Sequence, residues 1–356
     1  MTNSFVDTPS AVREGEQLDI ENLEAFLVRN VPGMKGPIAV EQFPGGHSNL
    51  TYLVKSGKQE LVLRRPPYGS KVKSANDMGR EFRVLSKLHS FFGPAPAPVA
   101  FCEDVGVLGA PFYLMERIRG VVYRAQQPEG MELSPHRVRD ACYSFIETLA
   151  DLHNLDYDRV GLEGLYKGPG YLERQLSGWE RRWEGSKTDD IPEMDVVLRW
   201  LKAELPPDSG AVIIHNDFKF DNLIFSAEDM TTVAGVLDWE MSTVGDPLSD
   251  LGVTLSYWWQ ASDGPSTSVS ACFLCRDTGA LTREELIRTY GRRTGRDTSN
   301  LLFHYVLALY KGAVIGQQIY YRYKMGLTQD ARFAAFLDSA RGQAGRALRA
   351  IESGTI

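Results

Sequence analysis

The apolar positions of this chain change their period about a third of the way along it. Residues 20–31 (IENLEAFLVRNV) repeat at the spacing of a short amphipathic helix. Three strand-like runs follow: IAVEQF at 38–43, LTYLV at 50–54 and ELVLRR at 60–65. Glycine punctuates them, with PGGHSN between the first two and KSGK turning the second into the third. Met78, Phe82, Leu85, Leu88 and Phe92 then fall at helical spacing and predict a helix over 77–92. PAPAPVAFCED breaks that pattern and leads into another strand, and PFYLMERIRG (111–120) reads as a further one ending at Gly120.

Beyond that point helical spacing dominates, over 134–154, 171–184, 193–204, 246–259, 282–294, 299–325 and 329–351. Only AVIIH, NLIFS and VAGVLDW, within 211–239, interrupt it as short strands. Strands followed by helices predict an α+β chain of two packed lobes and not a doubly wound sheet. The expected organisation is a mobile N-terminal segment over 1–18, a β-rich lobe over 19–117 and a helix-rich lobe over 118–356. No internal repeat or heptad array is visible.

Composition narrows the function classes. The chain has 356 residues, 43% hydrophobic and 24% charged, with a net charge of −7. That balance gives no general attraction to nucleic acid or an anionic membrane, so neither is expected as a partner. No apolar run approaches a bilayer-spanning length, and MTNSFVDTPSAVREGEQ lacks the basic and apolar regions of a signal peptide, so a cytoplasmic protein is expected. Cys272 and Cys275 form a lone C-x-x-C with no second ligand pair, which favours a structural role over a metal or redox one. Oligomeric state is left open.

The chemistry concentrates in IIHNDFKFDN (213–222), where an apolar strand ends in a burst of polar residues. Asn222 and Asp238, each at the edge of an apolar strand, suit a hard cation such as Mg²⁺, which takes few protein oxygens and fills its other positions with water and phosphate. Asp217 remains available to accept a proton from a hydroxyl. Metal ligands kept apart from a base are what phosphoryl transfer needs, because its catalysis is mostly positioning and charge neutralisation.

HNDFKFDN matches the kinase catalytic loop in register, and Asp238 stands where the metal-binding Asp of the later D-F-G-type motif belongs. Trp239 and Glu240 replace Phe and Gly there, and no A-P-E element follows. With LDWEMSTVGDPLSDLG, the chain resembles the aminoglycoside phosphotransferase and choline-kinase-like family of small-molecule kinases over about 38 to 325. VLRRPP, REFRVLSKL and QQIYYRYKMG bring it nearest to the kinase-like domains related to those fused to acyl-CoA dehydrogenases. The resemblance implies a bilobal protein-kinase-like fold: a small antiparallel β-sheet lobe with one main helix, and a larger, mostly helical lobe. It also implies use of ATP and Mg²⁺ to phosphorylate a hydroxyl of a small molecule.

Further residues take roles under that resemblance. The Gly45–Gly46 turn lays backbone N–H groups over nucleotide phosphates, with Ser48 and Asn49 adding side-chain contacts. Val62 and Arg64 share one strand face and Arg65 takes the other, which places Val62 near the adenine and Arg64 where kinases carry a lysine, with Arg65 left open as the alternative phosphate contact. Glu81 lies on or beside the apolar stripe of the 77–92 helix, where it either reaches water at the stripe's edge or, as the resemblance implies, pairs with Arg64. Met115, Glu116 and Ile118 fall where the family joins its lobes and binds adenine. Lys219 is assigned to the γ-phosphate, His215 to bracing the loop, and Asp246 to capping a helix, with Asp246 or Asp250 anchoring the loop. Asp221 and the cations of YYRYKMG are read as solvated, although Arg322 or Lys324 is an alternative holder of an anionic acceptor. Two rivals stand beside the kinase: a catalytically silent nucleotide-binding regulator, motivated by arginine at position 64, and a metal-dependent hydrolase using His215, Asp217 and Asp238. The acceptor itself stays open, with a hydroxyacyl-CoA or other anionic metabolite favoured.

Overall fold

Capping and register explain how the chain builds its first unit, residues 1–122 with 222–242. The structure, a computed structural model, describes residues 4–44, 49–68, 77–263, 272–276, 279–328 and 330–356. Helix α1 (Ile20–Asn30) starts where the Asp19 carboxylate accepts the Asn22 N–H. Strands β1 (Ala39–Gln42), β2 (Leu50–Ser56), β3 (Gln59–Arg65), β4 (Pro98–Cys102) and β5 (Phe112–Glu116) form one antiparallel sheet in the order β1-β2-β3-β5-β4. Alternation sends Tyr52, Leu63 and Leu114 to the face covered by α1, where they bury with Leu23 and Leu27. The turn α3 (Val105–Leu108) closes that side.

Helix α2 (Met78–Leu88) takes the opposite face. Asp77 caps it, and Met78, Val84, Leu85 and Leu88 are buried. The helix stops four residues short of the expected end, with His89 as its C-cap, and Phe92 still packs edge-on to Trp239. The residues read as a mobile lead-in make specific bonds here. Asp7 N–H donates to Gly120 O, Ser10 exchanges backbone bonds with Gln42, and Tyr52 Oη donates to Glu16 O. A three-stranded sheet, β6 (Gly120–Val121), β8 (Leu223–Ser226) and β9 (Val233–Val236), completes the unit. Strand periodicity finds β8 and β9, but nothing in chain order says that this hairpin belongs with residues more than a hundred positions earlier.

The second unit, residues 123–221 and 243–356, is mostly helical. Its long helices are α4 (Pro135–His153), α6 (Tyr171–Ser186), α7 (Pro192–Ala203), α8 (Pro247–Tyr257), α9 (Arg283–Thr294), α10 (Leu301–Lys324) and α11 (Phe336–Ser353), with one short turn, α5 (Tyr157–Val160). Their starts follow sequence signals: Ser134 then Pro135, Asp246 then Pro247, and a reciprocal Thr282–Glu285 capping box. The run expected as one helix over 329–351 instead opens with a 3-10 turn, Ala331–Ala335, before α11. Strand β7 (Val212–Ile214) pairs with β10 (Thr243–Gly245), a strand too short for periodicity to reveal. The small antiparallel sheet with its helix and the helical second unit are the α+β, kinase-like architecture expected.

Helices α8 and α10 meet closely at Gly252, where an added Cβ would stand 2.6 Å from the His304 carbonyl oxygen. Helix propensity alone would reward Gly252→Ala by up to about 1 kcal/mol. The obstructing atom is backbone, so overpacking wins, and we expect a net loss of about 1–3 kcal/mol, read as a lowered Tm.

Candidate active site

In the first unit, strand register aims the charged groups. Val62 pairs with Met115 and Arg64 with Tyr113 across β3 and β5, so all four share the sheet face opposite the α1 core. Arg65 projects to the other face, where its guanidinium lies over the Tyr68 ring at 3.7 Å. Arg64 is buried and uses both ends of its fork: Nη1 lies 3.0 Å from Glu81 Oε1 and Nη2 lies 2.9 Å from Asp238 Oδ1. Glu81, fully buried in α2, also accepts the Trp239 N–H at 3.0 Å. Burial opposes the Arg64 charge, yet Glu81, Tyr113 and Asp238 hold its pKa well above the usual value. A helix, a strand and a loop thus converge on one guanidinium, and the residue after Asp238 is fixed by the same carboxylate that fixes Arg64.

Asn222 and Asp238 flank one end of the β8–β9 hairpin, where Leu237 N–H donates to Asn222 O at 2.8 Å. Asp238 has φ of 68°, a left-handed conformation uncommon outside glycine and tolerated best by Asn and Asp. The loop after it is held from several sides. Asn49 Nδ2 donates to Glu240 Oε2 at 2.8 Å, and Arg80 donates to the carbonyls of Glu240 and Ser242. Burial, with the Asp238 charge nearby, pushes the Glu240 carboxyl up to about 7. The amide and carboxylate oxygens of Asn222, Asp238 and Glu240 are hard donors, whose chemistry fits Mg²⁺ better than a soft metal. Among the described residues no cluster of three His, Cys, Asp or Glu suited to a metal is present. Asn49 Oδ1 and Arg64 Nε are buried without hydrogen-bond partners among the described residues, leaving polar capacity for a ligand.

The other expected nucleotide contacts divide. Gly45, Gly46 and Ser48 lie outside the described residues. Ile118 packs over Gly235 of β9, where an added Cβ would stand 2.9 Å from Ile118 Cδ1. Glu116 is exposed and turns its carboxylate to the Ala97 N–H at 2.8 Å, while Met115 is buried.

In the second unit one helix face organises the loop that carries Asp217. Asp250, Thr254 and Tyr257 stand four and three residues apart on α8. Asp250 accepts the His215 and Asn216 N–H groups at 2.6 and 2.7 Å, Thr254 donates to Phe218 O at 3.1 Å, and Tyr257 Oη donates to Asp217 Oδ1 at 2.8 Å. Lys219 Nζ lies 2.8 Å from Asp217 Oδ2, so it neutralises the carboxylate in this structure. Burial and the Asp217 charge hold the Tyr257 phenol well above its usual pKa, which keeps it a donor. Asn216, with φ of 68°, makes the turn that presents Asp217. The loop anchor is therefore Asp250, while Asp246 caps α8 through Ser249 N–H at 2.9 Å and ties Ser209. His215 accepts the Asp217 N–H at 3.3 Å. His153 links Asp250 at 3.1 Å to Tyr290 at 2.8 Å.

Burial alone would raise the Asp250 carboxyl, but the His153 hydrogen bond and the His153 and His215 charges hold it below the usual range. A depressed native pKa adds stability that is full above the unfolded value of about 3.9 and lost as pH falls towards the native one. Asp250→Asn should therefore cost about 3 kcal/mol at neutral pH. That deficit should shrink as thermal melts are taken below pH 4.

Cys272 and Cys275 are buried and unbonded to each other, and burial raises both thiols, which suits the structural reading. Arg322 and Lys324 lie at the exposed end of α10, Lys324 paired with Asp189 at 2.7 Å, in accord with a solvated face. Sequence reasoning missed Tyr257, Arg80 and the Glu240 clamp. Of these only Tyr257 left a trace, seven residues after Asp250 on one helix.

A sequence model described as the Phosphotransferase enzyme family (APH) matches residues 39–300. The chain belongs to this family. Among its relatives, the acyl-CoA dehydrogenase family member 11 of Gallus gallus is 39% identical over 326 residues, covering 89% of this chain and 41% of the relative. The chain thus spans about two fifths of that protein's length. A Ralstonia eutropha structure named as an aminoglycoside phosphotransferase aligns with a TM-score of 0.81 and 30% identity over 95% of this chain and 99% of its own. Aminoglycoside phosphotransferase APH(4)-Ia, solved with AMP-PNP and hygromycin B, shares the fold, with a TM-score of 0.57 and 16% identity over 92% of this chain and 98% of its own. APH membership makes this a small-molecule phosphotransferase by family. No helix among the described residues is long and apolar enough to cross a membrane.

Proposed function

We propose that this protein transfers the γ-phosphate of ATP to a hydroxyl of a small molecule in the cytoplasm, with Asp217 as the base. The observation that carries the reading is the held carboxylate of Asp217. Tyr257 fixes one oxygen, Lys219 neutralises the other, and the loop is pinned from below by Asp250. Asn222 and Asp238 would hold Mg²⁺, which when bound neutralises phosphate charge. Arg64, set by Glu81, steadies the nucleotide phosphates and orients Asp238; Asn49, Val62, Met115, Glu116 and Ile118, with Gly45, Gly46 and Ser48, complete the nucleotide site. Lys219 is the group that exchanges Asp217 for the transferring phosphate. Use of ATP is supported by the AMP-PNP complex of the related fold.

For the acceptor we favour a hydroxyacyl thioester or other anionic hydroxy metabolite, because the close relatives are named as acyl-CoA dehydrogenases. An ATP-consumption screen across aminoglycosides, small amino alcohols and hydroxyacyl-CoAs tests this, and consumption confined to aminoglycosides would overturn the acceptor class. A nucleotide-binding regulator without turnover is the second reading, favoured by the engagement of both Arg64 nitrogens with carboxylates; it predicts bound and unconsumed ATP throughout the panel.

A further inference from the structure

Between Leu301 and Tyr321 the sequence holds one charged residue, Lys311, in an otherwise uncharged run. A lone ammonium in such a helix should either reach water or meet a carboxylate. Lys311 does neither well. It is partly buried on α10, its Nζ makes one long contact, 3.4 Å to Asn216 O, and no carboxylate lies within 4 Å among the described residues. Burial lowers its pKa and outweighs the pull of the Asp217 and Asp250 charges, which marks the ammonium as costly where it stands.

The ammonium lines a narrow cleft within the second unit, with space of about 20 Å³, room for one water-sized group. Tyr171, Gln175 and Trp179, four residues apart on α6, form one wall; His304 and Lys311, seven apart on α10, form the other. Asn216, the residue before Asp217, also lines the cleft. Lys311 Nζ sits 5.6 Å from the Trp179 ring centroid, and the Arg182 guanidinium sits 4.5 Å from the same ring. Gln175 Oε1 accepts the Trp179 indole N–H at 3.2 Å, which leaves the Gln175 amide N–H groups to donate. His304 Nε2 is buried and has no hydrogen-bond partner among the described residues. No carboxylate is among the described residues that line this cleft.

We propose that this cleft is the acceptor subsite, in which Lys311 and Gln175 hold an acyl oxygen, a hydroxy acid's carboxylate or its thioester's carbonyl, and so deliver the hydroxyl to Asp217. The inference rests on Asp217 addressing the acceptor and adds which residues choose it. It explains why an ammonium is kept in an apolar helix: its partner arrives with the substrate.

Calorimetric titration of the full chain with AMP-PNP present tests this without turnover. The probes are 3-hydroxybutanoate, its N-acetylcysteamine thioester, 1,3-butanediol and 4-amino-2-butanol. We expect the acid or the thioester to bind at least about tenfold more tightly than the diol, and the amino alcohol most weakly. Whichever acyl probe leads identifies the source of the oxygen. Lys311→Met should bring the preferred acyl probe to the level of the diol and raise Tm, because it removes a buried charge that no hydrogen-bonded carboxylate holds. If Lys311 only braces the Asn216 carbonyl, the variant will lower Tm and keep the acyl preference. That result, equal binding of acid and amine, or no acyl binding by the parent chain overturns the subsite. Failure here leaves phosphoryl transfer standing, and failure of the ATP screen leaves these affinities standing.

Discussion

Asp217→Asn is expected to lower turnover by about a thousandfold, the middle of the range for a general base, while Mg·ATP affinity changes little. The substitution is nearly isosteric, and the amide oxygen can still accept the Tyr257 hydroxyl now 2.8 Å from Asp217 Oδ1. What it removes is the basic lone pair and the charge opposite Lys219. The Asp217 side chain is 22% exposed, so the fold does not depend on burying it, and Tm should stay close to that of the parent chain. Single-turnover kinetics beside nucleotide titration separate the possibilities. Loss of kcat alone assigns Asp217 to the transition state, whereas equal loss of binding and turnover would assign it to the metal or to folding. Tyr257→Phe serves as a graded control. It keeps the ring 5.0 Å from the Lys219 ammonium and deletes one hydrogen bond to the base, so about a tenfold loss is expected.

Much of this site could be read in the sequence because its residues are local to turns. His215 to Asn222 lie within one loop, and Asp238 closes the next hairpin, so spacing alone orders them. Arg64 and Glu81 were legible for another reason: strand alternation fixed the face of one, helical spacing the face of the other, and two buried charges need each other. Alternation also separated Arg64 from Arg65. The unread part depends on contacts between distant segments. Arg80 reaches carbonyls 160 and 162 residues away, and Asn49 reaches Glu240 across 191. Backbone carbonyl partners leave no imprint on residue choice, so no pattern announces them. Lys311 is the reverse case. Its signal, one charge in an apolar helix, is plain in the sequence, but the denser cations at 322 and 324, which sit at an exposed helix end, mask it.

The second large effect is expected at Arg64, and its sign depends on what replaces it. Arg64→Met leaves the Glu81 carboxylate buried beside Asp238 with no cation between them. Breaking a buried pair in this way costs about 3–5 kcal/mol, so the first unit should lose much of its stability. Arg64→Lys restores the charge and asks a narrower question. The guanidinium spans two carboxylates with separate nitrogens, at 3.0 and 2.9 Å. A single ammonium on a shorter reach cannot hold both at those distances, and Asp238 is the partner held from outside α2. We therefore expect Arg64→Lys to retain most of the stability yet weaken Mg·ATP binding by about tenfold, because Asp238 is no longer set. Thermal melts and nucleotide titration of both variants decide it. Parent-like nucleotide affinity in Arg64→Lys would show that charge suffices and the fork is incidental. Gain of turnover in that variant would point the other way, to an arginine that restrains Asp238 and holds a kinase-like site silent.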